Sequence, residues 1–347
     1  MIGALLGVSR AVMIPRARAF HSALLAPGRV QDRVREDVAR AMAQTEYGRS
    51  LGVTDAASFR ARAPVVSWEE IAPWVDRQRK DEGRVISAED VLFYEKTSGS
   101  TGPAKYIPYS RALRRTFSRM FTAWAHDVLA NGPRLRTGKL YFSVSPSFST
   151  ETSTEKGVPV GTSDDRDYLQ GWLRPLLAPF VVGPPGLGRE RDAGEFRRKL
   201  ALALLEAEDL EIVSVWSPSF LTAILAYIEE DRSALFSASG RMALSGTGPL
   251  DWTRVWPSLR LISCWDSAGA KPLAARLAAL FPGVMVQGKG LLATEGPVTI
   301  PMVGAPDFVR RATGPPFLRP AGIARISADE FKPRRWRVID RYRQRGP

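Results

Sequence analysis

Three features of this sequence predict an α/β fold in which parallel or mixed sheets are joined by crossover helices. Short apolar runs alternate with longer amphipathic stretches from residue 194 to residue 288. The runs "EIVSVW" (211–216), "LRLISCW" (259–265) and "VMVQG" (284–288) are rich in Val, Ile and Leu, as strands covered on both faces are. Between successive runs lies enough chain for a helix, which a parallel connection requires.

The elements follow in order. A basic opening segment, without an acid before Asp32, has its apolar run broken by Arg10. That break argues against a secretory signal and for an ordinary N-terminal helix. Residues 28–46 read as a helix with Val34, Val38 and Met42 on one face. "LFYEKTSGS" is an apolar strand entering a glycine-rich turn, and Ser110 is placed to cap the helix after it. In that helix Leu113, Phe117, Met120, Phe121, Trp124 and Val128 form one stripe, while Arg111, Arg114, Arg115 and Arg119 read as a solvated face. "KLYFSVSP" (139–146) is a second buried strand, and the Ser/Thr/Gly-rich segment 149–165 is a loop able to move. Helices at 194–208, 219–230 and 272–281 complete the alternation. Trp216 and Trp265 end apolar strands and read as core; Ser217 and Ser219 read as caps of the next helix.

Composition bounds the function. A chain of 347 residues with 44% hydrophobic and 24% charged residues builds a large core and a solvated surface. No apolar run approaches the roughly 20 residues of a membrane span, so the expected setting is cytoplasmic. The lone Cys264 excludes an internal disulfide and a multi-cysteine metal centre, and its apolar surroundings make it a buried, inert thiol. The net charge of +13 is concentrated at the end: from Ala305 onward 11 Lys and Arg face 4 Asp and Glu, a balance of +7. The other 304 residues carry +6, so no nucleic-acid partner is expected.

In an open α/β sheet, ligands bind at the carboxyl ends of the strands. The loops "KTSGSTGPAK", "WSPSF", "WDSAGAKP" and "GKGLLATEG" all read as strand exits on one edge. The first of them is the most suggestive. Backbone N–H groups clustered in a glycine-rich turn form a concavity for anions, hydroxyls add donors, and a lysine supplies point charge. Ser98, Gly99, Ser100, Thr101, Gly102 and Lys105 offer all three. The spacing excludes a P-loop, because Lys105 stands three residues after Gly102 and precedes Tyr106. Alone, such a stretch is more often ordinary turn chemistry.

"TSGSTGPAKYIP" resembles the phosphate-binding signature of the adenylate-forming superfamily. Its flanks narrow the resemblance to the GH3 auxin-responsive family of acyl-acid amido synthetases, in its bacterial branch. They are "TEYGRSLGV" (45–53), "FRARAPVVSWEEIAPWVDR" (59–77), "LYFSVSP" (140–146), "VWSPSFL" (215–221) and the long run 261–301, all in family order. The resemblance implies a two-step ligation: ATP and a small carboxylic acid give an acyl-adenylate, and an amino acid then takes the acyl group as an amide. It implies that Ser98, Gly99, Ser100, Thr101, Gly102 and Lys105 hold the β- and γ-phosphates. It places Ser267, Ala268 and Gly269 at the adenine and acyl group, Thr294 at the α-phosphate, and Glu295 on Mg²⁺. With only two histidines, His21 and His126, the chain offers little for a Ser-His-Asp set, and this chemistry needs none. A coenzyme A-dependent acyl ligase and a non-catalytic nucleotide or acyl-acid binder are the alternatives.

Three segments follow: an N-terminal segment (1–27), the adenylate-forming domain (28–304) and a Pro/Arg-rich tail (305–347). The tail holds ten arginines and six prolines and shows no apolar period, so it is expected to be poorly ordered or translated out of frame. The resemblance stops there, short of the family's Arg-Tyr-Arg…Gly-Asp element and closing C-terminal domain. The expectation is therefore a chain that is impaired in turnover while still binding nucleotide.

Overall fold

The computed structural model describes residues 2–80, 83–96, 104–143, 153–161, 168–169, 171–184, 186–290, 292–304 and 310–311. Five helices open the chain: α1 (Ile2–Leu25), α2 (Pro27–Ala43), α3 (Glu46–Ser50), α4 (Ala56–Arg62) and α5 (Trp68–Arg79). The expected helix 28–46 ends three residues early, because Thr45 turns its side chain to accept the Gly48 N–H at 3.0 Å and starts α3. Gly48 is required there: a Cβ would stand 1.9 Å from the Met42 carbonyl oxygen. Among the described residues, no helix is long and apolar enough to cross a membrane.

β1 (Val91–Lys96) and β2 (Tyr106–Ser110) pair antiparallel, with Lys96 opposite Tyr106. This corrects the expectation that the glycine-rich loop leaves a parallel strand. The link of residues 97–105 is too short for a crossover, so the chain returns beside the strand it left. Part of the segment expected to be a movable loop is tied down. The Tyr94 N–H donates to Pro159 O at 2.8 Å, and the Gly161 N–H donates to Tyr94 O at 2.7 Å.

α6 (Arg111–Asn131) starts at Ser110, whose hydroxyl accepts the Leu113 N–H. The predicted stripe faces inward, and Ser118, Thr122 and Asp127 are buried as well, the Asp127 carboxylate accepting the Val303 N–H at 2.6 Å. Two of its arginines have acidic partners: Arg115 with Glu89 at 2.6 Å and Arg111 with Asp90 at 3.7 Å.

The centre is a four-stranded parallel sheet of β3 (Leu140–Phe142), β4 (Ile212–Ser214), β5 (Leu261–Cys264) and β6 (Met285–Gly288), ordered 3-4-5-6. The crossovers carry α7 (Leu173–Leu177) and α8 (Ala193–Glu206), then α9 (Pro218–Glu230), α10 (Arg232–Ala238) and α11 (Trp252–Val255), then α12 (Lys271–Leu280). Side chains alternate between two cores. Leu140, Ile212 and Leu261 join Phe121, Trp124 and Leu173 on the α6 side; Tyr141, Val213 and Ile262 join Leu200, Leu225 and Leu277 on the other. A hairpin of β7 (Leu292–Ala293) and β8 (Gly296–Pro297) follows. β9 (Thr299–Ile300) then pairs with β10 (Arg310–Arg311), the part of the tail that lies among the described residues.

The amino-terminal edge of the sheet is fixed by Glu211, only 2% exposed. Its carboxylate accepts the backbone N–H groups of Arg136 (2.7 Å), Thr137 (3.0 Å) and Gly138 (2.6 Å), where the chain turns into β3. Without that carboxylate, buried donors lose their partners at roughly 1–3 kcal/mol each. Glu211→Ala is expected to lower stability by about 3 kcal/mol, with Glu211→Gln losing less, measured by urea unfolding at neutral pH. A Glu211→Ala midpoint matching the wild type would contradict this role.

Candidate functional site

At the carboxyl edge of the sheet, the exits from β4, β5 and β6 converge. Trp216 and Trp265 leave β4 and β5 side by side, their rings 6.2 Å apart. Neither is core, contrary to the sequence reading: Trp265 is 38% exposed and Trp216 half-buried. The strands end at Ser214 and Cys264, and one further backbone bond, from the Trp265 N–H to Trp216 O at 2.9 Å, holds the two chains together where both indoles stand at the edge. Asp266 lies against Gly288, where a Cβ would meet its carboxylate at 2.3 Å, so glycine at the end of β6 makes room for that acid. Ser217 is a cap as expected, its hydroxyl accepting the Ser219 N–H. Cys264 is fully buried, and burial pushes its thiol up to about 11, in keeping with an inert role.

Ser267, Ala268 and Gly269 lie at the β5 exit, Ser267 just before and the other two within a single 3-10 turn, Ala268–Ala270, that leads into α12. Ala268 adopts φ 49°, a left-handed value uncommon for a residue with a Cβ, at the point where the exit loop turns into the helix. Thr294 and Glu295, half-buried, are the two-residue tip between β7 and β8, with Ala293 opposite Gly296. Glu295 is therefore at a hairpin tip, not in the first turn of a helix. Gly296 packs toward Leu113 of α6, which brings the tip near the β1–β2 hairpin.

That proximity shows in the electrostatics. The Tyr109 phenol is held well above its ordinary range, first by burial and then by the charges of Tyr168, Glu95 and Glu295. Glu95 stands near the end of β1, just ahead of the glycine-rich loop, so the charge of the hairpin tip and the charge at the base of the loop both reach one tyrosine.

Ser98, Gly99, Ser100, Thr101 and Gly102 lie outside the described residues. Lys105 is described: it is exposed, with its Nζ 5.7 Å from the Trp68 ring centroid at the start of α5. His21 belongs to α1 and His126 to α6. Burial, helped by Arg10 and His21, holds the His126 imidazole below its usual value. Among the described residues, no three His, Cys, Asp or Glu side chains cluster as a metal site. One carboxylate completed by phosphate oxygens and water is a donor set that suits Mg²⁺. Sequence reasoning missed Lys289, whose contacts come from residues far away in the chain.

Burial also raises the Glu95 carboxyl above its ordinary value, against a hydrogen bond with Tyr168. A raised carboxyl contributes stability that is fully present below its unfolded-state value and lost as pH rises through its folded value. At neutral pH the ionised group therefore costs stability. Glu95→Gln is expected to be more stable than the wild type at pH 7, with the gap closing toward about pH 4, read from urea midpoints. A gap that does not change with pH would contradict the assignment.

Residues 16–245 match the family model described as the GH3 family N-terminal domain. A jasmonoyl-L-amino acid synthetase, GH3.3 of Oryza sativa subsp. japonica, is 32% identical over 193 residues, covering 52% of this chain and 41% of that protein. An indole-3-acetic acid-amido synthetase, GH3.8 of Oryza sativa subsp. indica, is 36% identical over 84 residues, 23% of this chain and 14% of its own. The solved structure of AtGH3.15 acyl acid amido synthetase in complex with 2,4-DB superposes with a TM-score of 0.67 at 19% identity, covering 82% of this chain and 56% of that one. The chain thus spans less than half the length of these relatives and about half of the solved structure. With a family model matched from residue 16 to residue 245 and the same fold, this chain belongs to the GH3 family.

Proposed function

We propose that this chain binds ATP and a small carboxylic acid for acyl-adenylate formation, the first half of an acid–amino acid ligation, with its own turnover impaired. The observation that supports the reading is the packing of the Thr294–Glu295 hairpin, through Gly296, against Leu113 of α6, the helix that β2 runs into after the glycine-rich loop. An oxygen of the substrate carboxylate attacks the α-phosphorus of ATP; the new O–P bond forms as the bond to pyrophosphate breaks. The amine of an amino acid then attacks the acyl carbon, AMP leaves, and the amine proton passes to solvent.

No protein nucleophile enters either step, so the protein contributes position and charge. Ser98, Gly99, Ser100, Thr101, Gly102 and Lys105 are assigned to the β- and γ-phosphates, and Thr294 to the α-phosphate. Ser267, Ala268 and Gly269 are assigned to the adenine and acyl group. Glu295 would hold Mg²⁺, which offsets phosphate charge when bound.

The test is ATP binding by calorimetry beside acid-dependent exchange of labelled pyrophosphate into ATP. ATP binding is expected, weakened about tenfold or more by Lys105→Ala and by Glu295→Gln, a loss of about 1.4 kcal/mol. Acid-dependent exchange would establish adenylation, while binding without exchange would leave a nucleotide-binding chain. Absence of ATP binding would overturn the reading. An amino acid against coenzyme A as acyl acceptor separates the amide ligase from a thioester-forming one.

A further inference from the structure

We propose that the exposed face of α1 docks this protein on an anionic lipid surface, the helix lying along the bilayer without crossing it. α1 is held to the body by its other side. Ser9, Met13, Ala17 and Phe20 are buried, Phe20 in the core with Phe121 and Trp124 of α6, and the Arg16 guanidinium stands 4.2 Å from the centroid of the Trp172 ring. Away from that contact, Leu5, Val8, Val12, Pro15 and Ala19 follow one another in steps of three and four residues, which places them on one side of the helix. All five are exposed, Val8 by 55% and Leu5 and Val12 by 41% each. Three aliphatic side chains therefore stand in a row in water, on a helix that already buries an apolar face elsewhere.

The charge around this strip decides what it fits. By the helical repeat, Arg16 falls beside Leu5 and Val12 on one margin, and Arg18 beside Ala4 and Ala11 on the other, with Arg10 further round. All three arginines are exposed. Four arginines and no acid precede Asp32, so nothing on α1 offsets the positive charge. An apolar strip bordered by arginines suits a helix in the plane of a bilayer interface. The aliphatic side chains enter the acyl boundary while the guanidinium groups stay with the lipid phosphates. A second copy of the chain fits less well: packing two α1 strips together would crowd their arginines, with no acid on either helix to pair them. A protein groove also fits less well, because the strip carries no aromatic anchor. The helix is already formed and fixed to the core, so docking has little chain to order. Among the described residues no helix is apolar enough to cross a membrane, so the contact is interfacial.

The test is flotation of the full chain at low ionic strength with vesicles of phosphatidylcholine alone, or with about a third phosphatidylglycerol. The wild type is expected to bind the anionic vesicles about tenfold or more tighter than the neutral ones. Leu5→Ser, Val8→Ser and Val12→Ser combined leave the charge unchanged and are expected to weaken that binding about tenfold or more. Val65→Ser, at a site 84% exposed between α4 and α5, is expected to leave it unchanged. Arg10→Gln with Arg18→Gln is expected to cost about fivefold per arginine. The basic tail would also draw the chain to anionic vesicles, but it would hold the serine variant as tightly as the wild type. Equal binding of those two therefore overturns the proposal, and so does wild-type binding to neither vesicle. If the serine variant does not fold, the arginine pair decides, and unchanged binding in it overturns the proposal. A wild-type dimer that the serine substitutions split, without vesicle binding, assigns the face to a second copy and overturns it as well.

Discussion

Parallel pairing of four short strands in chain order is the constraint on which the rest depends. Each connection must cross back over the sheet, so every exit falls on the same edge. The opposite edge is tightly held: the Glu211 carboxylate collects the amides entering β3, while its carbonyl accepts the N–H groups of Arg260 and Leu261 at 2.9 and 3.1 Å. One residue thus joins the starts of β3, β4 and β5. The carboxyl edge is left to the loops, and there Trp216, Trp265 and Lys289 are half-buried or exposed.

Much of this was legible in the sequence, where a local period determines the outcome. The α6 stripe follows the helical repeat, and its residues face the core because hydrophobic burial acts on every turn alike. The strands of the sheet were legible as apolar runs because helices cover both faces. The glycine-rich stretch was legible as a turn after one strand, since Gly and Ser disfavour regular structure, whereas the strand Tyr106–Ser110 that follows it was not read from the sequence.

What was not legible depends on contacts between distant residues. Trp216 and Trp265 extend apolar runs in the sequence, yet they are bonded to each other just beyond the strand ends, which leaves both indoles at the edge. Pairing of β1 with β2 instead of with the sheet follows from the length of the link between them, which an apolar pattern does not reveal. Lys289 reads as a loop lysine; Ser214 and Trp124 become its neighbours only through the parallel register of β4, β5 and β6 beside α6.

The most direct measurement is a crystal structure of the chain with a non-hydrolysable acyl-adenylate analogue, an N-acyl sulfamate of adenosine. The account predicts the adenosine and acyl group at Ser267, Ala268 and Gly269 and the sulfamate at Thr294. Analogue bound away from the carboxyl edge of the sheet, or no binding at saturating concentration, would contradict it.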